Sequence, residues 1–599
     1  MREFAVPATT TVADEENLTD VVWANAERFA GSVSFRRRVD GSWTDITAKD
    51  FADQVIAAAK GLIASGIDPG DRIALLSKTR YEWTLLDYAI WAAGGSTVPI
   101  YETSSPEQVE WILSDSGAKA VIVETPAHRE VVQVLVDRLG EPAMVWQIEP
   151  AASGGAIDEL TALGAAISDD AVRKRAATVR AQDMATLIYT SGTTGRPKGC
   201  EITHGNLLAQ TRSASAEFPG LMQHGNSVLL FLPLAHVFAR IIQCCSVYAR
   251  ITLGHTPDVK NLVAELAEFR PTFVLAVPRV FEKVYNAAKQ RAHADGKGFI
   301  FDAADTTAVE WSRAQDIGGA GMVLWAKHAL FDQLVYAKLR AVLGGRCIAA
   351  VSGGAPLGTR LGHFFRGIGV PVLEGYGLTE TCAASTVNTE KNMKIGSVGR
   401  PVAGVTIRID ADGEVLIKGP GVLRRYWHNE QATEEAVVDG WFYTGDLGEL
   451  DSEGFLRITG RKKEIIVTAA GKNVAPATLE DRIRAHPLVS QCMVVGDQQP
   501  FVAALITLDA EALPAWGAEH GKPAGISAAD LIDDEGARAT VQSAVDDANK
   551  AVSKAESIRK FRILPVDFTE EGGQLTPTLK LKRAVVAKEF AADIDAIYS

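Results

Sequence analysis

Met184-Ala-Thr-Leu-Ile-Tyr-Thr190 runs directly into Ser191-Gly-Thr-Thr-Gly-Arg-Pro-Lys-Gly199. The first seven residues read as a strand, and the rest as a phosphate-binding loop at its end. Three glycines allow tight turns and close approach of the backbone to a ligand. The hydroxyls of Thr190, Ser191, Thr193 and Thr194, with the backbone N–H groups of Gly192 and Gly195, suit phosphate oxygens. Lys198 adds a positive charge. The segment is not a Walker A loop, which ends Gly-Lys-Ser/Thr; here Pro197-Lys198-Gly199 stands in that place. An ordinary Ser/Thr/Gly surface loop is the competing view of the segment by itself.

The residues before this loop supply its frame. Thr47 and Asp50 form a capping-box pair. Phe51, Val55, Ala59, Leu62 and Ile63 then recur at helical spacing, with Gly66 as the stop. Ile73-Ala-Leu-Leu follows as a buried strand. The unit repeats: a helix from Pro106 to Gly117, then the strand Ala120-Val-Ile-Val. Alternation of this kind predicts an α/β fold with mostly parallel sheet. Residues 150–182 are expected to cover the surface, and 285–345 to be helical with a break at Asp316–Gly321. From 405 to 458 short strands and turns predict a small β-rich subdomain. A boundary is expected at about 460–464. After it come strands, a helix near 478–485, an acidic helical insertion near 511–550 and a basic tail.

The chain of 599 residues is too long for one core. Its net charge of −13 argues against general nucleic-acid binding. Its six cysteines form neither a CxxC nor a Cys/His cluster, which disfavours zinc and fits reduced cytoplasmic thiols. The N-terminus lacks the apolar core of a signal peptide. The longest weakly charged stretch, Tyr88 to Tyr101, contains Gly94, Gly95 and Pro99 and is too short to span a bilayer. The expectation is a cytoplasmic protein, soluble or at most peripheral on a membrane, with monomer and homodimer both open.

TSGTTGRPKG resembles the signature loop of the adenylate-forming superfamily, which includes acyl-CoA synthetases, luciferases and peptide-synthetase adenylation domains. Further segments resemble that family's motifs in order. Val351-Ser-Gly-Gly-Ala-Pro is followed by a helix near Leu357–Arg366, the strand Pro371-Val-Leu and a loop, Glu374-Gly-Tyr-Gly-Leu-Thr-Glu380. The resemblance implies that Gly353, Gly354 and Ala355 flank an adenine with Glu374, Gly375, Tyr376 and Gly377, and that Tyr376 stacks on it. It places Thr379 at the α-phosphate, and Glu380, with Thr190, at magnesium. Asp446 in Tyr443-Thr-Gly-Asp would accept from the ribose hydroxyls. Arg461 would hold ribose or phosphate, and Lys463 would be the hinge, next to Glu464 where the family more often has Asp. Alone, Tyr376 could equally be a core aromatic and Glu380 a solvated acid.

Leu575-Thr-Pro-Thr-Leu-Lys580-Leu-Lys582-Arg583 resembles the segment carrying the family's adenylation lysine. The role maps to Lys580, with Lys582 as the competitor and a solvated basic face as the plain alternative. Leu579 replaces the Gly many members have. Gly471 would line the pantetheine path. In Phe231-Leu-Pro-Leu-Ala-His236-Val-Phe-Ala-Arg240 the resemblance puts His236 near the substrate carboxylate, although a lone His in an apolar stretch is usually just packed. Ile241–Tyr248 suits a greasy wall, as strand or helix.

The whole looks like an actinobacterial long-chain fatty-acid–CoA ligase using ATP, Mg2+ and coenzyme A. Its implied architecture is a large N-terminal domain of stacked α/β sheets with a small β-barrel subdomain (1–462), then a small mobile α+β domain (463–599). The alternatives are a fatty-acyl-AMP ligase that uses a carrier protein, and an inactive lipid-binding scaffold.

Overall fold

The computed structural model describes every residue except 141, 143, 151–153, 191–195 and 577–578. Its first layer is a seven-stranded sheet. The strands are Arg72–Leu76 (β1), Ser96–Ile100 (β2), Ala120–Val123 (β3), Met144–Gln147 (β4), Met184–Thr190 (β5) and Lys198–Thr203 (β6), with Arg425–Tyr426 added outside β6. The spatial order from that edge is β6-β5-β2-β1-β3-β4. β1 to β5 run parallel, and β5 and β6 form an antiparallel hairpin with Thr190 opposite Lys198. Apolar residues buried on both faces, such as Ala120–Val123, are what a sheet covered by helices requires. The helix Ala48–Ala64 (α1) starts with the reciprocal Thr47/Asp50 cap and buries Phe51, Val55, Ala59 and Leu62. Helices at 156–163 and 169–176, in the segment read as surface cover, pack on α1.

The second layer is a nine-stranded sheet. It contains Ser227–Leu230 (β7), Thr252–His255 (β8), Phe273–Ala276 (β9), Ala349–Ser352 (β10), Val372–Leu378 (β11) and Ala383–Val387 (β12). β7 to β11 are parallel, and β12 turns back antiparallel on β11. This departs from the loop expected over Glu374–Glu380. Glu374 to Leu378 continue as strand, and Thr379–Thr381 form one 3-10 turn. The cause is tight pairing with β12: a Cβ on Gly377 would lie 1.7 Å from the Ala383 carbonyl oxygen, so only glycine admits it.

Two helices lie buried where the layers meet. Tyr81–Ala92 (α2) and Val237–Ala249 (α3) show burial on nearly every side. They are joined by an ion pair of zero exposure between Arg240 and Asp87. Arg240 Nε donates to Asp87 Oδ2 at 3.0 Å, and another guanidinium nitrogen donates to the Thr186 hydroxyl on β5. Thr97 of β2 and Gln243 also donate to Asp87, at 2.6 and 2.9 Å. The guanidinium sits 5.2 and 5.3 Å from the Trp83 and Trp91 ring centroids. Both charges of this pair thus have several partners, which a low-dielectric interior demands.

The helical region begins with Pro278–Ala294 (α4) and Gly298–Asp316 (α5), then breaks before Met322–Phe331 (α6). A further helix, Thr359–Gly367 (α7), follows β10. It starts later than the sequence suggests because the Leu357 amide is held by the Glu374 carboxylate, at 2.8 Å. The β-rich part is a six-stranded sheet that includes Thr406–Ile409 (β13), Glu414–Lys418 (β14), Trp441–Leu450 (β15) and Leu456–Arg461 (β16). Beyond it stand the helix Pro476–Arg484 (α8) and a three-stranded sheet with its own apolar cluster. The segment expected as one acidic helical insertion divides into helices 513–519 and 535–549, with a 3-10 turn between them.

Replacing Arg240 by Met alone strands the Asp87 carboxylate, and we expect a stability loss of about 3–5 kcal/mol. The pair Arg240→Met with Asp87→Leu should recover most of it. Urea unfolding followed by tryptophan emission checks this; equal losses in the single and paired variants would show that the ion pair is not what the layers depend on.

Candidate active site

The phosphate-loop hairpin and the two Gly-rich strand ends converge on one cleft. β10 and β11 are neighbours with Ser352 opposite Glu374, so Gly353 and Gly375 come side by side. A Cβ on Gly353 would stand 3.4 Å from the Gly375 carbonyl oxygen and 3.5 Å from the Phe238 ring. Gly354 has φ +85°, a left-handed turn that carries the chain and Ala355 out to the surface. Tyr376 lies half-buried and donates its hydroxyl to Asp446 Oδ2 at 2.7 Å. Arg461 Nε meets the other oxygen of Asp446 at 3.2 Å; β15 and β16 place these residues directly opposite. Burial pushes the Asp446 carboxyl above its ordinary range, while Arg461 and the Tyr376 hydroxyl pull it back.

Thr379 and Glu380 sit on the 3-10 turn after β11. The Glu380 carboxylate accepts from the Tyr426 hydroxyl at 2.9 Å, and its backbone carbonyl accepts from the Leu423 amide at 2.7 Å. Lys198 Nζ stands 5.1 Å from the Tyr426 ring centroid. Thr190 lies across from Lys198, with its hydroxyl 4.0 Å from Cys200 Sγ. Burial and the nearby Glu380 charge drive the Cys200 thiol upward, against the Thr190 hydroxyl and Lys198. Glu380 and Lys198 are therefore neighbours through Tyr426, and Thr190 joins them across the hairpin. The calls on Ser191, Gly192, Thr193, Thr194 and Gly195 fall outside the described residues.

His236 caps the N-terminus of α3, and its Nδ1 accepts from the Phe238 amide at 3.2 Å. Desolvation, then the positive charge of Lys580, pushes this imidazole down to about 3. The ring is therefore neutral, with its proton on Nε2. Lys580 reaches this cleft from the last hundred residues. Lys580 is itself exposed to solvent. Desolvation and then Arg461 lower its proton affinity, while Asp446, Glu380 and Glu464 act in the opposite direction. Its backbone is fixed by a Thr576 pair: the Thr576 amide donates to the Lys580 carbonyl at 2.8 Å, and the Lys580 amide to the Thr576 hydroxyl at 3.0 Å. Leu579, between them, has φ +60°. That conformation is costly for a branched residue and free for glycine.

Lys463 and Gly471 stand apart from this convergence. Lys463 is exposed on the 3-10 turn Lys462–Glu464. The adjacent Lys462 is tied to Glu414 at 2.9 Å. Gly471 is exposed in a turn at φ +76°. The sequence reading missed Tyr426 and Trp427. The Trp427 amide donates to the Gly199 carbonyl at 2.8 Å, so the aromatic pair clamps the base of the hairpin. The signal was a Tyr-Trp pair after Arg424 and Arg425, in a region read only as strands and turns. It also missed the contacts that hold the C-terminal part in place: Arg279 to Asp509 at 2.9 Å, Lys283 to Glu511 at 3.1 Å, and the Thr103 hydroxyl to Glu570.

Among the described residues no group of three or more His, Cys, Asp or Glu could enclose a metal ion. One carboxylate and a hydroxyl beside a phosphate loop instead fit magnesium, which is held by one or two carboxylates plus substrate phosphates and water.

Residues 22–427 match the family described as AMP-binding enzyme, and residues 463–599 match the AMP-binding enzyme C-terminal domain. The long-chain-fatty-acid–CoA ligase FadD15 of Mycobacterium bovis is 55% identical over 100% of both chains. The protein of that name in Mycobacterium tuberculosis is 54% identical, again over 100% of both. Among solved structures, the anthranilate CoA ligase AuaEII in complex with anthranoyl-AMP aligns over 97% of this chain and 98% of its own, with a TM-score of 0.72 and 20% identity. That likeness concerns the fold.

Burial raises the Glu374 carboxyl to about 7, against the Leu357 amide that favours its anion. Its folded value lies above its unfolded one. The folded protein therefore binds the extra proton between about pH 4.5 and pH 7, and stability falls as pH rises through that window. Glu374→Gln should match the parent protein at pH 5 and melt higher at pH 8. Parallel melting curves of the two proteins across this range would remove the effect from Glu374.

Proposed function

The chain belongs to the AMP-binding enzyme family, and from that premise we propose the reaction: a long-chain fatty acid and ATP give acyl-AMP and pyrophosphate, and coenzyme A then displaces AMP to give acyl-CoA. The acyl acceptor is coenzyme A and not a carrier protein, because full-length relatives at 55% and 54% identity are named CoA ligases. What supports the site assignment is the meeting of Tyr376 and Arg461 on Asp446 beside the paired strand ends at Ser352 and Glu374, with the Lys580 charge acting on both Asp446 and His236.

A carboxylate oxygen attacks the α-phosphorus, the bond to the β-phosphate oxygen breaks, and negative charge builds on the phosphoryl oxygens. Positioning and preorganised positive charge are what the protein must supply. Lys580 meets the carboxylate and α-phosphate, and phosphate charge restores the proton affinity that desolvation and Arg461 take from it. Thr379 donates to the α-phosphate. The neutral His236, protonated on Nε2, donates to the substrate carboxylate without adding charge. Thr190, Ser191, Gly192, Thr193, Thr194, Gly195 and Lys198 hold the β- and γ-phosphates. Gly353, Gly354, Ala355, Glu374, Gly375, Tyr376 and Gly377 form the adenine slot, and Asp446 with Arg461 takes the ribose. Magnesium, held by Glu380 and Thr190, would neutralise phosphate charge when bound.

In the second step the coenzyme A thiolate attacks the acyl carbonyl, the anhydride C–O bond breaks, and AMP departs. Lys580 has then left the site by a turn of the C-terminal domain, residues 463–599, about Lys463, and Gly471 lines the pantetheine path. The acyl chain lies along the apolar face of α3. Each methylene it buries is worth about 0.8 kcal/mol, which favours long chains. Peripheral contact with a membrane would bring the enzyme to such a substrate.

The test of the reaction is AMP release with palmitate, with and without coenzyme A. Turnover that needs coenzyme A and yields palmitoyl-CoA is expected; tight acyl-AMP without thioester would move the assignment to an acyl-AMP ligase. Lys580→Ala should slow adenylation by about 10²–10³ while leaving thioester formation from supplied acyl-AMP near normal. Equal losses in both half-reactions would sink the lysine's assignment. Lys463→Pro, which restricts φ at the hinge, should impair the second half-reaction selectively.

A further inference from the structure

Helix α6, MVLWAKHALF, is apolar on almost every side, yet none of its residues is buried. Only Leu324, His328 and Phe331, spaced as one helical stripe, are half-buried. His328 stacks on Trp311 of α5 with ring centroids 4.1 Å apart, and its Nε2 lies 2.7 Å from the Gly367 carbonyl oxygen. The other faces look outward. Met322 is 89% exposed, Val323 72%, Trp325 62% and Leu330 55%. The apolar exposure continues on both flanks, with Ile317 at 87% in the preceding turn and Leu334 at 46% in the segment that follows. Most other exposed large apolar residues of the chain are scattered, as is ordinary for a soluble surface. A concentration such as this marks a surface that meets something.

Charge identifies the partner. Between residues 310 and 346 the acids Asp316 and Asp332 are already paired, with Arg366 and Arg340. Arg313, Lys327, Lys338 and Arg346 are exposed and enter no ion pair among the described residues, against Glu310 alone on the acidic side. The segment that carries the patch is therefore cationic although the whole chain carries −13. A second copy would bring the same cations against themselves across a two-fold axis. An anionic lipid surface complements both features, because lysine and arginine stems lie along apolar surface while their heads reach the phosphates. Tryptophan favours that interface. The helix is far too short to cross a bilayer.

We propose that the α5–α6 hairpin docks on an anionic bilayer, with α6 lying in the interface, Met322, Val323, Trp325 and Leu330 among the acyl chains, and Arg313 and Lys327 at the headgroups. The docking does not rest on the reaction assigned above. The test uses the full-length protein and vesicles of phosphatidylcholine, alone or mixed with phosphatidylglycerol. Sedimentation with the mixed vesicles should be roughly tenfold stronger than with phosphatidylcholine alone. Val323→Glu with Trp325→Glu should abolish it, while turnover of detergent-dispersed palmitate stays at the parental rate. Lys327→Glu should weaken binding by at least about fivefold, on the anionic vesicles only. Brominated lipids should quench part of the native emission, and Trp325→Phe should remove that part, a readout needing no destabilising change. Sedimentation of the double variant equal to the parent, or quenching unchanged in Trp325→Phe, would overturn the proposal. So would a lipid-free dimer that the double variant dissociates, which would assign the face to a second copy.

Discussion

The buried contact between Arg240 and Asp87 is the constraint on which the cleft depends. One guanidinium binds α2, through Asp87, and β5, through Thr186, from its seat in α3. It stands one helical turn beyond His236 in α3, and its partner Thr186 lies on β5, the strand that ends at Thr190. The position of the imidazole at the start of α3 and that of Thr190 at the end of β5 are therefore fixed by the same group. A hydrophobic core would hold the two layers together as firmly, but it would not fix the sliding of a helix past a strand. Directional bonds to a single planar cation do, at the cost of desolvating two charges.

Around the reacting position the protein sets opposing fields. His236 is kept neutral by burial and by the lysine beside it. Lys580 is kept short of its ordinary proton affinity by burial and by Arg461. Asp446 is raised by burial and held by Arg461 and Tyr376. Lys580 and Arg461 carry like charges that act against each other, a repulsion that an anion bound between them would relieve. In the reaction proposed above, ATP would supply that anion, and relief of the repulsion would make binding energy available for positioning.

Much of this was legible in the sequence. The Thr47/Asp50 cap, the alternation of helix and strand, and the break before α6 follow from local patterns that tertiary structure had no reason to override. The motif residues around Gly353, Tyr376 and Asp446 were found through their resemblance to the adenylate-forming family. What was not legible depends on contacts between distant segments. The continuation of β11 through Tyr376 exists because β12 pairs with it, and a Gly-Tyr-Gly run read locally is a turn. Arg240 stood at the end of a motif run, beside an apolar segment open as strand or helix, and its partner Asp87, 153 positions away, gave no local sign. Tyr426 enters the cleft only because a two-residue strand crosses from the β-rich part to β6. The outward face of α6 was read correctly as helix, but periodicity alone does not say which apolar residues lack a neighbour.

The contacts between α4 and the C-terminal part are few and differ in character. Arg279 and Asp509 are each about one-sixth exposed, whereas Lys283 and Glu511 are open to water at 52% and 77%. Exposed pairs of the second kind contribute about 0–1 kcal/mol and are screened by salt. The seam is thus soft, and the ionic composition of the surrounding fluid becomes a variable of the protein's geometry. Dilute solution would linger with Lys580 turned inward. On the domain turn proposed above, concentrated solution would loosen this seam and favour other orientations of the last domain, so that ambient electrolyte would act as a quiet dial on how the molecule divides its time.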